Sequence, residues 1–277
     1  MKRPLILLSF LTVLIFLMSS CLKDVRYARK YVIEKPFKSL VLLPPTDITK
    51  TYYSQNPDIY DSIPPVPKDI SKSSFVKDAD KQEVIDKFIG SLSKQLSRYG
   101  FTVYGPEDLS ELANSGQEAF VFSVAQLEIM EYPDTFTQEV VHNNFYYEQK
   151  TEINTVVQNT WFEFSQLNHP DRDMTVLFNM QHTADYIDGQ YLYDYTRGGI
   201  VYEYTPYRIA LEDIYRLNEF AGSQNARYIY DFLINIYVSD ETGLPFNVNR
   251  YLMIDRDKRI IRRAQPEERF HIMKLEE

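Results

Sequence analysis

The sequence predicts an α+β fold: a mixed or mostly antiparallel sheet, one long amphipathic helix on a face of it, and a C-terminal helical hairpin. Three observations carry that prediction. Short apolar or alternating runs bounded by Pro, Gly and Asn recur along the chain, as strands do. Between Asp78 and Tyr99 the apolar residues Val84, Ile85, Phe88, Ile89, Leu92 and Leu96 recur at helical spacing, and Gly100 follows as a stop. Beyond Thr205, two further stretches with helical spacing flank Gly222-Ser223.

Taken in order, residues 21–38 read as a polar, charged tether that lifts the fold away from whatever precedes it. Ser39–Leu43 is a short apolar run stopped by Pro44-Pro45, which suits a buried strand. Thr46–Lys77 carries Pro57, Pro64, Pro65 and Pro67 among polar residues and reads as a long irregular loop. The amphipathic helix follows, then a strand over Phe101–Tyr104 and a short helix over Glu107–Ala113. Glu118–Glu131 is a long apolar strand, hence central. Glu152–Gln166 and Met174–Tyr186 form an antiparallel pair across the turn-rich Asn168–Asp173. Pro206 suits the first position of a helix to about Ala221. Gly222-Ser223 breaks it, and Gln224–Tyr237 is the second helix. Two short strands, Arg250–Asp255 and Arg259–Arg263, end the chain. Residues 39–277 are expected to form one α+β domain, the alternative being two sub-domains meeting near 132–150.

The N-terminus has its own pattern. Met1-Lys2-Arg3 precedes an apolar run from Pro4 to Met18, the small pair Ser19-Ser20 and Cys21, the only cysteine of 277 residues. The run is short of the roughly 20 residues that a spanning helix needs, and its charged start and small-residue exit are those of a signal peptide. Met18-Ser19-Ser20-Cys21 resembles the lipobox of bacterial lipoproteins, with Met18 where Leu is commoner. That resemblance implies cleavage after residue 20 and acylation of the Cys21 thiol, which anchors the protein to a membrane. Leu22 stands where an Asp holds many Gram-negative lipoproteins in the inner membrane, so the outer membrane is implied, its facing side left open. Lys23-Asp24 is similar to the charged signals of surface lipoproteins in Bacteroidetes.

Cleavage removes two cations and no acid, taking the formal charge from −9 to −11. An acidic chain is a poor nucleic-acid binder, and none is expected. With Cys21 acylated no disulfide can form, so packing alone stabilises the fold.

Phe37–Pro45, the amphipathic helix and Arg98–Pro106 together resemble the opening strand, helix and strand of envelope lipoproteins related to the curli secretion lipoprotein and to periplasmic activators of cell-wall synthases. The resemblance covers about residues 37–131. It implies a small α/β domain without an active site, used for assembly or partner binding. The loop after Pro45 departs from it, and residues 132–277 match no such pattern.

Tyrosine is densest between residues 186 and 207. Tyr191, Tyr193 and Tyr195 alternate with Leu192 and Asp194; Tyr202 and Tyr204 alternate with Val201 and Glu203, across Thr196-Arg197-Gly198-Gly199. In a hairpin these five tyrosines share a face. The ordinary use of such a stripe is packing, here beneath the helices that follow; exposed, it would stack on sugar rings or dock a protein. Arg256, Lys258, Arg259, Arg262 and Arg263 form the one basic cluster, read as the solvated face of an edge hairpin, with anionic headgroups or an acidic partner as the other uses.

Catalytic patterns are absent from the sequence. There is no Gly-x-Ser-x-Gly, no Gly-rich phosphate loop and no His-Glu-x-x-His; the only cysteine is the expected lipid site. His142, His169, His182 and His271 lack metal-ligand spacing, and no metal or cofactor is expected. The expected function is therefore non-enzymatic: a lipid-anchored lipoprotein that binds an outer-membrane or periplasmic protein as an accessory subunit of an assembly, secretion or uptake complex. The alternative is a surface glycan-binding lipoprotein.

Overall fold

The computed structural model describes residues 23–57, 66–116, 118–167 and 174–273. The signal segment, Cys21, the Asn168–Asp173 connector and part of the proline-rich loop lie outside the described residues. The fold is mixed α and β, with a mixed sheet.

The expected tether is a helix, α1, over residues 23–34. It does not stand off the domain. Ala28 and Tyr31 are fully buried, and Asp24 pairs with Arg250 at 3.7 Å. The polar residues that suggested a tether occupy one side of α1; Val25, Ala28, Tyr31 and Val32 supply the other.

Strand β1 (Ser39–Leu43) is parallel to β3 (Thr102–Tyr104) on one side and to β4 (Phe120–His142) on the other. β2 (Thr49–Tyr52) lies inside the stretch read as irregular and pairs in parallel with Glu128–Glu131 of β4. The remainder of the sheet is antiparallel: β4 with β5 (Phe145–Gln166), β5 with β6 (Thr175–Ala184), and β6 with β11 (His271–Met273). Thr49-Lys50-Thr51-Tyr52 has no apolar pattern because it is a half-exposed edge strand, held by pairing.

The loop after β2 is fastened by one carboxylate. Glu131, fully buried on β4, accepts the Ser73 hydroxyl at 2.5 Å and the backbone N–H groups of Ser74, Phe75 and Val76 at 2.8, 3.0 and 3.0 Å. Three successive amides aimed at one anion form a nest, which replaces the solvation that burial removes.

Helix α2 (Lys81–Tyr99) matches its sequence expectation. Asp80 caps it by accepting from Glu83 N, and Gly100 at φ +98° ends it. A short helix, α3 (Leu109–Ser115), follows β3. The expected helical hairpin is instead one continuous helix, α4 (Leu211–Thr242). Pro206 does not open it; it lies in a strand, opposite Ile187. Gly222 is mid-helix where α2 crosses: a Cβ there would collide with the carbonyl oxygen of Phe88 and come within 3.0 Å of Leu92 N. Ser91 adds hydrogen bonds to Glu219 O at 2.6 Å and to the Ser223 hydroxyl at 2.7 Å. The small pair read as a helix break is the notch that lets two helices touch.

α2 and α4 cover one face of the sheet over Phe88, Leu92, Leu127, Ile129, Phe162 and Phe232. The C-terminal half of α4 holds α1 and the hairpin of β9 (Leu252–Asp255) and β10 (Ile260–Arg263). Asn235 accepts from Leu252 N and donates to Leu252 O, at 2.8 and 2.7 Å, so the helix side chain stands in for a neighbouring strand. Asp231, also fully buried, meets Arg256 Nη1 at 3.4 Å. The basic cluster is accordingly not a uniformly solvated face: Arg256 turns inward to Asp231, and Arg262 is paired with Asp255 and Glu268.

Candidate functional site

β4 does not stop at Glu131. It continues to His142, turns at Asn143-Asn144 and returns as β5, with unbroken pairing from Gln126 opposite Trp161 to His142 opposite Phe145. Both turn residues have positive φ, +51° and +63°, as a two-residue type I′ turn requires. The stretch near 132–150, where the alternative reading would have two sub-domains meet, is the outer part of this hairpin. Past Tyr132 no side chain of β4 is fully buried, half-buried and exposed residues alternating; ten residues at about 3.3 Å each carry the tip roughly 33 Å past Tyr132.

A second hairpin lies against the first. β7 (Tyr186–Asp194) pairs with β8 (Gly199–Tyr207) across the turn read from the sequence. Tyr191 faces Tyr202, Gly189 faces Tyr204 and Tyr193 faces Ile200, so Tyr191, Tyr193, Tyr202 and Tyr204 do share a face. Tyr195 lies past the strand end, in the turn, and is 90% exposed. Ring centroids are 4.9 Å apart for Tyr191 and Tyr202, 4.9 Å for Tyr193 and Tyr195, and 5.6 Å for the stacked Tyr202 and Tyr204. Gly189 makes room for this, since a Cβ there would collide with the phenol end of Tyr202 and with the Cβ of Tyr204.

The stripe does not pack beneath the helices. The Tyr191 hydroxyl donates to Gln138 O at 2.7 Å, with Tyr147 O at 3.4 Å, both near the tip of the long hairpin. The two hairpins thus form one arm. Its base is fixed by Asp185, whose side chain is fully buried: it accepts from Arg208 Nη1 at 2.6 Å, Asn154 N at 2.8 Å and Ile209 N at 2.8 Å.

The arm presents further residues that the sequence reading missed. Val141, Phe145 and Tyr146 are each more than half exposed at the tip. Glu139 accepts a hydrogen bond from Tyr146, which pushes that phenol up to about 12. The signal was present: Asn143-Asn144 between alternating β-branched and aromatic residues is a hairpin pattern. Carboxylates including Glu139, Glu148, Asp188 and Glu203 outnumber cations on the arm. Trp161 lies elsewhere, on the sheet face away from the helices, against Phe178 at 4.9 Å.

Among the described residues no group of three His, Cys, Asp or Glu could hold a metal ion, and no helix is long and apolar enough to cross a membrane. No protein-family model matches the chain, and no curated protein matches it.

Proposed function

We propose that the protein is a lipid-anchored envelope lipoprotein that holds the aromatic arm out to a protein partner, as an accessory subunit of an outer-membrane assembly, secretion or uptake complex. The observation that supports this reading is the position of the arm. α1, whose first described residue is Lys23, packs at the C-terminal end of α4, through Lys30 to Glu241 at 3.3 Å and Tyr31 beside Tyr237. The arm leaves from the N-terminal end, where Ile209 N binds Asp185 just before α4 starts. A helix of 32 residues is about 48 Å long, so α1 and the arm occupy opposite ends. An anchor at one end and exposed tyrosines at the other confine the arm to one surface and raise its effective concentration there.

Tyrosine offers contact area at low entropic cost, and carboxylates between phenol rings suit a partner surface bearing Lys or Arg. The test is affinity purification of the full chain from crosslinked native envelopes, beside a Tyr146→Ser, Tyr193→Ser, Tyr195→Ser triple variant. One stoichiometric protein that the variant fails to recover supports the reading. Equal recovery by the variant, or no specific protein, overturns it; retention on polysaccharide by the wild type alone would favour the glycan alternative.

A further inference from the structure

We infer that the groove between α1 and the β9–β10 hairpin binds a single anionic phospholipid, its acyl chain along Val32, Ile33 and Ile260 and its phosphate on Arg29, Arg256 and Arg259. The groove is open and about 460 Å³ in volume. Its lips carry apolar side chains in water: Ile33 is 81% exposed and Ile260 46%, on two elements that face one another. Covering them takes apolar surface out of water, which favours binding.

The cations are placed where a headgroup would lie. Arg256 is held rigidly, its Nη1 bound to Asp231 and to Ile254 O and its guanidinium 4.9 Å from the centre of the Tyr99 ring. Its Nη2 is buried and has no hydrogen-bond partner among the described residues. Arg29, Arg256 and Arg259 all line the groove, and three guanidinium groups around one opening suit a phosphate. An acidic peptide would match the arginines but leave its own backbone groups against isoleucine; a neutral apolar ligand would match the isoleucines and leave the arginines without an anion. An anionic amphiphile satisfies both.

Acylation of Cys21 would bring the groove to a bilayer, but binding does not depend on it. The full chain in non-ionic detergent is therefore titrated with dihexanoylphosphatidylglycerol, dihexanoylphosphatidylcholine or inorganic phosphate, and adducts are counted by native mass spectrometry. We expect one phosphatidylglycerol per chain, weaker phosphatidylcholine binding and no phosphate adduct. Arg29→Glu with Arg259→Glu should weaken phosphatidylglycerol binding about tenfold or more. Ile260→Asp should weaken both lipids. Melting curves of these variants, all at exposed or half-exposed positions, verify that the fold is retained. Equal binding of the two lipids, phosphate binding as tight as phosphatidylglycerol, or variants that bind like wild type would each overturn the inference. Flotation of the wild type with vesicles tests the anchor separately.

Discussion

Arg208 donates to the fully buried carboxylate of Asp185 at 2.6 Å, across the base of the tyrosine hairpin. The same carboxylate takes the N–H groups of Asn154, on β5, and Ile209, ahead of α4, so one side chain ties arm, sheet and helix together. The two partners should respond unequally to removal. Asp185→Ala strands two amide donors and costs about 3–5 kcal/mol; Arg208→Ala leaves the carboxylate with its amides and costs about 1–2 kcal/mol. Hydrogen exchange checks this: in Arg208→Ala, residues 186–207 should exchange faster while α2 and α4 stay protected. Uniform acceleration over the whole chain would refute a role local to the arm.

Gly222→Ala tests the helix crossing. Alanine gains about 1 kcal/mol of helix propensity but must push the Phe88 carbonyl out of contact, and overpacking at an interface costs about 1–3 kcal/mol. A lowered Tm is expected, because backbone cannot swing aside as a side chain can. A raised Tm would mean that Gly222 is an ordinary helix weakener.

Gly222 also shows what the sequence can and cannot carry. Its local meaning, a weak point in a helix, is legible; its close approach to Phe88 is a long-range fact with no local signature. The same division explains the rest. α2 was legible because the apolar stripe and Gly100 act within one helix. The shared face of Tyr191 and Tyr202 was legible because strand alternation is local. That the stripe lies on the long hairpin was not, since it depends on where Gln138 and Tyr147 fall in space. β2 was hidden because an edge strand is specified by its neighbour, and α1 because its polar side dominates its composition. Asn143-Asn144 was legible and went unread; recognising it extends β4 by eleven residues past Glu131.

Glu131 allows a prediction about the loop leading into α2. In Glu131→Gln, an amide group replaces one acceptor oxygen and points its own donors at the amides of residues 74–76. The loss should be about 2–4 kcal/mol, and limited proteolysis should cut near residues 73–76 first. Proteolysis beginning instead in the arm would show that the nest does not fasten this loop.

Acid should affect the protein in two opposed ways. Burial raises Asp231 to about 6 from an ordinary 3.8, against the opposing pull of Arg256. A carboxyl whose folded pKa lies above its unfolded one binds the proton more tightly when folded, so stability falls as pH rises from about 4 to 6. A shift of that size corresponds to about 3 kcal/mol. Glu268 behaves oppositely: hydrogen bonds from Arg262 hold it down to about 2, so its contribution is present above 4.5 and is lost as pH falls toward 2. Together they place the optimum near pH 4–5, with a decline on each side. Thermal melts between pH 2 and pH 8 should show Asp231→Asn removing the decline between 4 and 6, and Glu268→Gln flattening the fall below 4.5. If Asp231→Asn instead leaves the decline between 4 and 6 intact, another group titrates there and the buried carboxyl is already neutral or fully paired across that range.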